Sequence, residues 1–252
     1  MSIVTAKDFL PAFTKTLGVL FLYILIGLFI DSQFIFVYIE NSQLIANGLM
    51  GVVFTIILLN VPPRIREQMI YAALIGVFGE YLFSIFLGMY TYRLENVPHY
   101  IPMGHALIYI GVLYFCKTVF AKINRAILEN IISFFVLVYA TAFLVFAHDI
   151  FGFVMSMAVL IILINKPKER LFYLTMYVVV AFLEIVGTYY QCWKWPETAW
   201  DKIPFLKSAN PPSGISLVYF LLDLGCLWLY KKRHKIAWNR MKNIRKLHLK
   251  DG

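Results

Sequence analysis

Long apolar runs, separated by short polar or proline-containing stretches, divide this chain from end to end. A helix needs roughly 20 apolar residues to cross the hydrocarbon core of a bilayer, and eight runs approach or reach that length. Most prolines lie between the runs, where a missing backbone donor costs least. The pattern predicts an all-α, polytopic membrane protein with eight transmembrane helices. The runs cover residues 12–30, 43–60, 69–90, 101–120, 127–147, 150–165, 171–190 and 213–230.

The composition agrees with a bilayer as the solvent. Of the 252 residues, 61% are hydrophobic and 15% are charged, whereas soluble domains carry about 25% charged residues. The net charge of +9 does not indicate a nucleic-acid partner, because the basic residues lie in short loops and in a C-terminal tail, as in cytoplasmic loops of membrane proteins. We therefore expect membrane lipid as the surroundings and a hydrophobic small molecule as the substrate.

The basic residues also orient the chain. With eight spans, 19 of the 23 Lys and Arg residues fall on one side of the membrane. Since cytoplasmic loops carry the excess of Lys and Arg, both termini are predicted to be cytoplasmic, and the protein is assigned to a bacterial inner (plasma) membrane. Residues 231–252 form a basic cytoplasmic tail, which either lies on anionic lipid or is solvated.

The two halves of the chain resemble each other. Residues 56–62 match residues 161–167 at an offset of 105, and Glu80 matches Glu184 at an offset of 104. The matches keep their order, which predicts a first four-helix repeat over residues 1–120 and a second over residues 121–230. Because four is an even number, the repeats are parallel and related by an axis along the membrane normal.

Carboxyl groups inside predicted spans are the main candidates for chemistry. Glu80, Glu184 and Asp223 lie within apolar runs, where a carboxylate costs about 2.5–3.5 kcal/mol. Burial favours the neutral acid, which can donate a proton. Glu80 and Glu184, which recur in both repeats, are predicted to be the catalytic pair. The alternative is that neutral acids fix helix packing.

An aromatic pair follows each glutamate near the outer end of its helix: Tyr90 and Tyr92 in the first half, Trp193 and Trp195 in the second. These side chains belong either to an interfacial belt or to the mouth of a cavity, where ring faces stabilise positive charge. We predict substrate contact for all four. The external loop of residues 191–214 is expected to cap the cavity, with Asn210 as a further substrate-binding residue.

The remaining motifs indicate little. His99, His105 and His148 fall near the outer side, but they lack metal-ligand spacing, so we predict no metal and instead a hydrogen bond from His105 to one glutamate. The sequence contains no Walker A, GxGxxG, GxSxG or CxxC motif, and no organic cofactor is expected. The three cysteines lie at different predicted depths and indicate no disulfide framework.

The stretch from Glu80 through Tyr90-Thr91-Tyr92 to Pro98 and Pro102 resembles the signature of the integral-membrane carotenoid hydratases, and Glu184 with Gly187 echoes it. The chain departs from the family pattern at Phe83 and Ser84, where a small glycine step is expected. The resemblance implies cofactor-free addition of water to a terminal double bond, with Glu80 or Glu184 as the proton donor.

Three hypotheses follow from the sequence. The first is an intramembrane enzyme that acts on an isoprenoid or other lipid by carboxylate acid–base chemistry, a hydratase or hydro-lyase in its specific form. The second is a carrier or flippase for a small amphiphile. The third is a non-catalytic membrane subunit that holds a partner.

Overall fold

The computed structural model describes residues 6–236 and residue 239, without the side chains of residues 6–8 and 221–223. Most of the predicted tail, residues 231–252, and the side chain of Asp223 therefore lie outside the described residues. The described chain is mostly helical.

A helix lies over every apolar run. The helices are α1 (Ala6–Phe13), α2 (Val19–Ile30), α3 (Gln33–Phe36), α4 (Ser42–Asn60), α5 (Pro63–Glu80), α6 (Tyr100–Lys117), α7 (Val119–Ile123), α8 (Arg125–Ala147), α9 (Ile150–Ile164), α10 (Arg170–Tyr189) and α11 (Ser216–Arg233). Two π-helical segments, Thr14–Gly18 and Tyr81–Phe86, join α1 to α2 and extend α5.

Several helices identify an integral membrane protein. Five helical stretches of the described chain are long and apolar enough to cross a bilayer: Phe9–Phe36, Ser42–Asn60, Pro63–Phe86, Arg125–Ala147 and Arg170–Tyr189. α9 is apolar but shorter. α6 and α11 carry more polar residues, such as His105 and Lys231. The count of eight spans thus stays a prediction.

α10 is the central helix and α8 is peripheral. In the most apolar 18-residue stretch of α10, 72% of the residues are buried. In the corresponding stretch of α8, only 11% are buried. α10 packs against α2, α6, α8 and α11. Large apolar side chains such as Phe134 and Phe146 on α8 are exposed, as expected when the solvent is lipid.

The outer loops contain short strands that the sequence did not predict, because two-residue strands have no period to detect. β1 (Thr91–Tyr92) follows α5, and β2 (Trp193–Lys194) follows α10. They pair antiparallel, with Tyr92 opposite Trp193. β3 (Thr198–Ala199) pairs with β4 (Ile203–Lys207) in the longer loop. The β1–β2 ladder therefore joins the loop that follows α5 to the loop that follows α10.

Two buried acids anchor these loops. Asp31, after α2, binds Arg93 Nη2 at 2.6 Å and the Tyr100 hydroxyl at 2.7 Å. Asp149, before α9, accepts from the backbone N–H groups of Ser213 at 2.7 Å, Gly152 at 3.0 Å and Ala209 at 3.1 Å. Both acids are fully buried, so each removes backbone freedom from the segment that it holds.

Glycines permit the closest approach in the second half. A Cβ on Gly152 would lie 2.3 Å from the Ser213 nitrogen, and one on Gly214 would lie 2.2 Å from the Gly152 oxygen. At both positions backbone atoms are among the obstructing atoms, and they cannot yield as the end of a flexible side chain can. The N-terminal end of α9 is thus sealed against the segment that precedes α11.

Arg93→Ala is expected to destabilise the protein strongly, since it leaves Asp31 buried without its cation. Breaking a buried pair costs about 3–5 kcal/mol, and the two side chains are 6% and 0% exposed. The midpoint of thermal denaturation in detergent, followed by size-exclusion chromatography, measures the effect. Lys194→Ala is the control, because Lys194 is an exposed cation on the neighbouring strand β2. Equal midpoints for the two variants would contradict the anchoring role of Asp31.

Candidate active site

Two buried glutamates lie near the C-terminal ends of α5 and α10. Glu80 is the last residue of α5, immediately before the π-helical segment, and π-helical turns often accompany functional sites. Glu184 lies in the last two turns of α10. Their exposed fractions are 5% and 3%. Buried charges need hydrogen-bond partners, and both carboxyl groups have three.

Glu80 binds two tyrosines and a histidine. Its Oε2 accepts hydrogen bonds from the Tyr90 hydroxyl, at 2.5 Å, and from the Tyr92 hydroxyl. Its Oε1 lies 2.7 Å from His105 Nε2 on α6. Burial and the charge of Glu80 raise the pKa of Tyr92 well above its usual range. The Tyr92 hydroxyl therefore stays protonated and serves as a donor.

Glu184 binds two tryptophans and a tyrosine. Its Oε2 accepts from Trp193 Nε1 at 2.8 Å and from Trp195 Nε1 at 3.0 Å. Its Oε1 accepts from the Tyr219 hydroxyl on α11 at 3.1 Å. The arrangement repeats that of Glu80: one oxygen faces the aromatic pair of the following loop, and the other faces the next helix.

The aromatic residues of the two halves contact each other across the β1–β2 ladder. The rings of Tyr90 and Trp195 are 4.6 Å apart, and those of Tyr92 and Trp193 are 6.1 Å apart in an edge-to-face arrangement. Beneath them, the His105 ring lies 4.9 Å from that of Tyr219. The two carboxyl groups thus share one aromatic enclosure.

A small cavity lies between the carboxyl groups. Its volume is about 20 Å³. It is bordered by Glu80, His105, Glu184, Trp195 and Tyr219. A space of roughly 10–15 Å³ by this measure suffices for one water molecule with polar partners. The site therefore has room for a single water-sized reactant beside both acids.

A larger apolar cavity of about 230 Å³ leads to the same residues. At one end it is bordered by Ile26 of α2 and Leu49 of α4, whose side chains are 54% and 50% exposed on the lipid-facing surface. At the other end it reaches Tyr92, His105 and Glu184. An apolar molecule in the bilayer can therefore approach the carboxyl groups between α2 and α4.

The structure brings most of the predicted site residues together. Glu80, Glu184 and His105 meet around the small cavity. The four aromatic residues, which were expected to offer ring faces, also donate hydrogen bonds to the two carboxyl groups. Tyr90, Tyr92 and Trp193 border the larger cavity and Trp195 the smaller one.

Asn210 has a different position from the one expected. Its Oδ1 accepts from the Trp195 backbone N–H at 2.9 Å, and its side chain borders a cleft on the outer surface instead of either apolar cavity. The described contacts thus make Asn210 a positioning residue for Trp195. Substrate contact through Asn210 stays a prediction.

Sequence reasoning missed Tyr219 and the Asp31–Arg93 pair. Tyr219 lies near the start of α11, and no motif around it marks it as a partner of Glu184. Asp31 and Arg93 are 62 residues apart in the chain, and no local pattern indicates that they meet.

No metal centre emerges within the described residues. Their His, Cys, Asp and Glu side chains form no group of three or more that could hold a metal ion. His99 and His148 are exposed, whereas His105 is buried against Glu80. Cys116, Cys192 and Cys226 form no disulfide, and burial raises the pKa of the Cys192 thiol.

Comparison of the chain with protein-family models, curated proteins and solved structures finds no match. The resemblance of the Glu80 stretch to carotenoid hydratases thus rests on the motif alone.

Trp193→Phe is expected to lower stability by about 1–3 kcal/mol, the usual cost of leaving a buried polar group without one partner. Phenylalanine retains part of the aromatic ring system of Trp193, but Glu184 Oε2 loses one of its two N–H donors. Trp228→Phe is the matched control, because Trp228 on α11 is 58% exposed. Thermal denaturation of both purified variants measures the difference. A Trp193→Phe protein as stable as Trp228→Phe would show that this hydrogen bond does not support the site.

Proposed function

We propose that this protein is an intramembrane enzyme that acts on an isoprenoid or related lipid by carboxylate acid–base chemistry. The observation that carries the proposal is the pair of buried, differently partnered glutamates at the inner end of an apolar cavity that opens toward lipid. In its specific form the reaction is hydration of a terminal double bond, as the resemblance of the Glu80 stretch suggests.

The size of the larger cavity supports a substrate that stays mostly in the bilayer. Pockets that enclose a drug-sized ligand measure roughly 300–1,000 Å³, and this cavity measures about 230 Å³. It accommodates one end of a long apolar molecule, while the rest extends between α2 and α4 into lipid. A chain with an unsaturated end group has this shape.

The partners of the two carboxyl groups support a division of roles. Glu80 Oε1 faces the imidazole of His105, a group that can both donate and accept a hydrogen at its ring nitrogens. Glu184 Oε1 faces the Tyr219 hydroxyl, a much weaker acid. We therefore assign proton donation to Glu80, with His105 as its exchange partner, and charge stabilisation to Glu184.

The proposed hydration balances without a cofactor. The Glu80 carboxyl gives its proton to the less substituted carbon of the double bond, the π electrons form the new C–H bond, and the neighbouring tertiary carbon becomes cationic. The Glu184 carboxylate and the rings of Tyr90 and Trp195 stabilise that cation. A water oxygen then forms the C–O bond and releases its proton to Glu184. Return of this proton to Glu80, by way of the Tyr219 hydroxyl and His105, completes the cycle.

We extend the proposal to the membrane architecture: eight spans, two parallel repeats and two cytoplasmic termini. Equivalent hydrogen bonds support the duplication. Arg66 Nε and Nη2 bind the Leu58 and Leu59 oxygens at the end of α4. Arg170 Nε and Nη2 bind the Leu163 and Ile164 oxygens at the end of α9 in the same way. If the halves are related by a twofold axis, α5 corresponds to α10 and α6 corresponds to α11. The packing of α5 against α11 and of α6 against α10 agrees with this exchange.

One feature favours a carrier or flippase as the second candidate. The π-helical segments Thr14–Gly18 and Tyr81–Phe86 interrupt two long helices, and carriers often use broken helices near their substrate sites. Uptake of a small amphiphile into proteoliposomes, without chemical conversion, distinguishes the carrier from the enzyme.

Glu80→Gln is expected to lower hydration of an acyclic carotenoid by about 100-fold or more, since general acid–base groups contribute 10²–10⁴-fold. Glutamine keeps the size of the side chain but cannot give up a proton. The assay measures gain of one water by mass spectrometry with purified enzyme in detergent micelles. Glu184→Gln is expected to fall comparably, through loss of the negative charge.

Glu67→Gln is the control for both variants, because Glu67 binds Tyr71 and His234 at the other end of α5. Full activity in a folded Glu80→Gln protein would exclude Glu80 as the proton donor. An equal loss of activity in Glu67→Gln would show that the lower activities reflect general damage to the structure.

Gly27→Phe tests the opening between α2 and α4. Gly27 borders the larger cavity, and a Cβ placed there meets no atom within 4 Å, so the new ring occupies open space. Excluding even two substrate methylenes, at about 0.8 kcal/mol each, lowers kcat/KM on the order of tenfold. Gly51→Phe on α4 is the matched control, because its surroundings are equally open and it does not border the cavity. Equal kinetics for the two variants would place the substrate path elsewhere.

A further inference from the structure

A second cavity lies at the opposite end of the helices from the glutamates, on the side that the basic loops predict to be cytoplasmic. Its volume is about 340 Å³. It is bordered by residues of α5, α6, α7, α8, α10 and α11, so the two halves meet around it. His105 and Lys117 mark the two ends of α6, and at 1.5 Å per residue they are about 18 Å apart along the helix.

Five cations from five segments of the chain surround this cavity. They are Arg64 near the start of α5, Lys117 at the end of α6, Lys122 in α7, Arg125 at the start of α8 and Lys168 before α10. The excess of cations on the cytoplasmic side accounts for their presence, but it does not require them to converge on one opening.

Most of these cations have no counter-charge. Arg125 Nε binds Glu129 at 2.7 Å, and Arg125 also donates to the Pro167 oxygen. In the part of the chain that the structure describes, no carboxylate lies within ion-pair distance of Arg64, Lys117, Lys122 or Lys168. Glu169 is the one acidic residue that borders the cavity. The opening therefore carries a net positive charge.

Aromatic contacts do not replace a counter-ion. The Arg64 guanidinium lies 5.4 Å from the centre of the Tyr230 ring, and the Lys117 ammonium lies 5.7 Å from that of Tyr114. Such contacts at exposed sites are worth about 0.5–1 kcal/mol. Arg64 and Lys122 are also close enough for their charges to act on Lys117. An anion between them would relieve this repulsion.

The inner wall of the cavity is apolar. Much of this wall, below the basic rim, is formed by Ile65, Leu113, Leu171, Phe172 and Leu227. A small inorganic anion gains nothing from such a wall, whereas a hydrocarbon chain is stabilised by about 25 cal/mol per Å² of apolar surface removed from water. A cationic rim above an apolar wall fits an amphiphile with an anionic head.

We propose that this cavity binds the phosphate group of an anionic amphiphile, with the phosphate among Arg64, Lys117, Lys122 and Lys168 and the chain against the apolar wall. Basic pockets between transmembrane helices on the cytoplasmic side bind anionic head groups. A membrane glycerophospholipid and a prenyl diphosphate share this chemistry. The bound molecule bridges segments of both halves and stabilises their association.

The site is tested by titration of the delipidated, full-length protein in a neutral detergent. Separate arms add phosphatidylglycerol, farnesyl diphosphate, phosphatidylcholine and inorganic phosphate. Native mass spectrometry counts the bound molecules, and the denaturation midpoint measures stabilisation, which rises with ligand concentration over Kd. We expect binding of phosphatidylglycerol or of farnesyl diphosphate, and the tighter one identifies the source of the phosphate. Equal binding of phosphatidylcholine or of inorganic phosphate would overturn the proposal.

Charge-removing variants locate the site. The triple variant Lys117→Gln, Lys122→Gln and Lys168→Gln is expected to bind the preferred anionic amphiphile on the order of 100-fold more weakly, from the usual contribution of three surface cations. The control triple variant changes Lys194, Lys202 and Lys207 to Gln on the outer side and is expected to bind as the wild type does. Equal loss in both would show non-specific attraction and overturn the site.

Two further readouts keep the outcome independent of folding and of the proposed enzyme. Lys117, Lys122 and Lys168 are exposed, so we expect the variant that lacks these three lysines to fold and to elute as a single species. In the wild-type protein, we expect the affinity for the anionic amphiphile to fall as the ionic strength rises. Salt-independent binding would overturn the proposal even without variants. The measurements do not involve Glu80 or Glu184, so failure of the proposed reaction leaves this site unaffected.

Discussion

The constraint on which the structure depends is that carboxyl groups buried in an apolar interior must find donors. Each charged side chain costs about 2.5–3.5 kcal/mol in the centre of a membrane helix, and an unsatisfied one costs more. Here the donors of Glu80 and Glu184 belong to the loops that follow their helices, Tyr90 with Tyr92 and Trp193 with Trp195. The loops must therefore fold back over the helix ends. Burial of the acids thus fixes the outer surface and joins the halves through the β1–β2 ladder.

The loops on this side of the described structure are anchored in two different ways. Asp31 holds Arg93, the residue after β1, and thereby holds Tyr92 over Glu80. In the second half Asp149 binds backbone groups on both sides of the α9–α11 contact, and Gly152 lies directly against Gly214. Between α2 and α4, the Tyr23 hydroxyl contacts Met50 Sδ at 3.0 Å, and the apolar cavity reaches the lipid-facing surface beside this contact. This cavity gives an apolar molecule a lateral path to both acids.

The sequence predicted which residues lie together better than it predicted the contacts among them. A shared offset near 105 residues and the cost of a carboxylate in an apolar run were enough to select Glu80 and Glu184, and proximity to the outer side selected His105. The ring orientations of Trp193 and Trp195 depend on the tertiary structure, so their N–H donors could not be distinguished from ring faces. The Asp31–Arg93 pair and the two-residue strands leave no local period. The polar residues of α6 and α11, which include His105 and Tyr219, weaken the hydropathy signal because these helices line the site.

Divergence between the aromatic pairs makes two equivalent acids chemically different. A tryptophan N–H can only donate, so Glu184 Oε2 accepts from two fixed donors whatever the protonation state of the carboxyl group. A tyrosine hydroxyl both donates and accepts, and His105 Nε2 does either according to its tautomer. Every partner of Glu80 can therefore adjust when a proton arrives or leaves, whereas two of the three partners of Glu184 cannot. Proton exchange at Glu184 is confined to Oε1 and Tyr219. Such a pair, in which one acid has adaptable partners and the other has mostly fixed ones beside the same cavity, suits the proposed reaction, in which a proton is given at one moment and a cation is stabilised at the next.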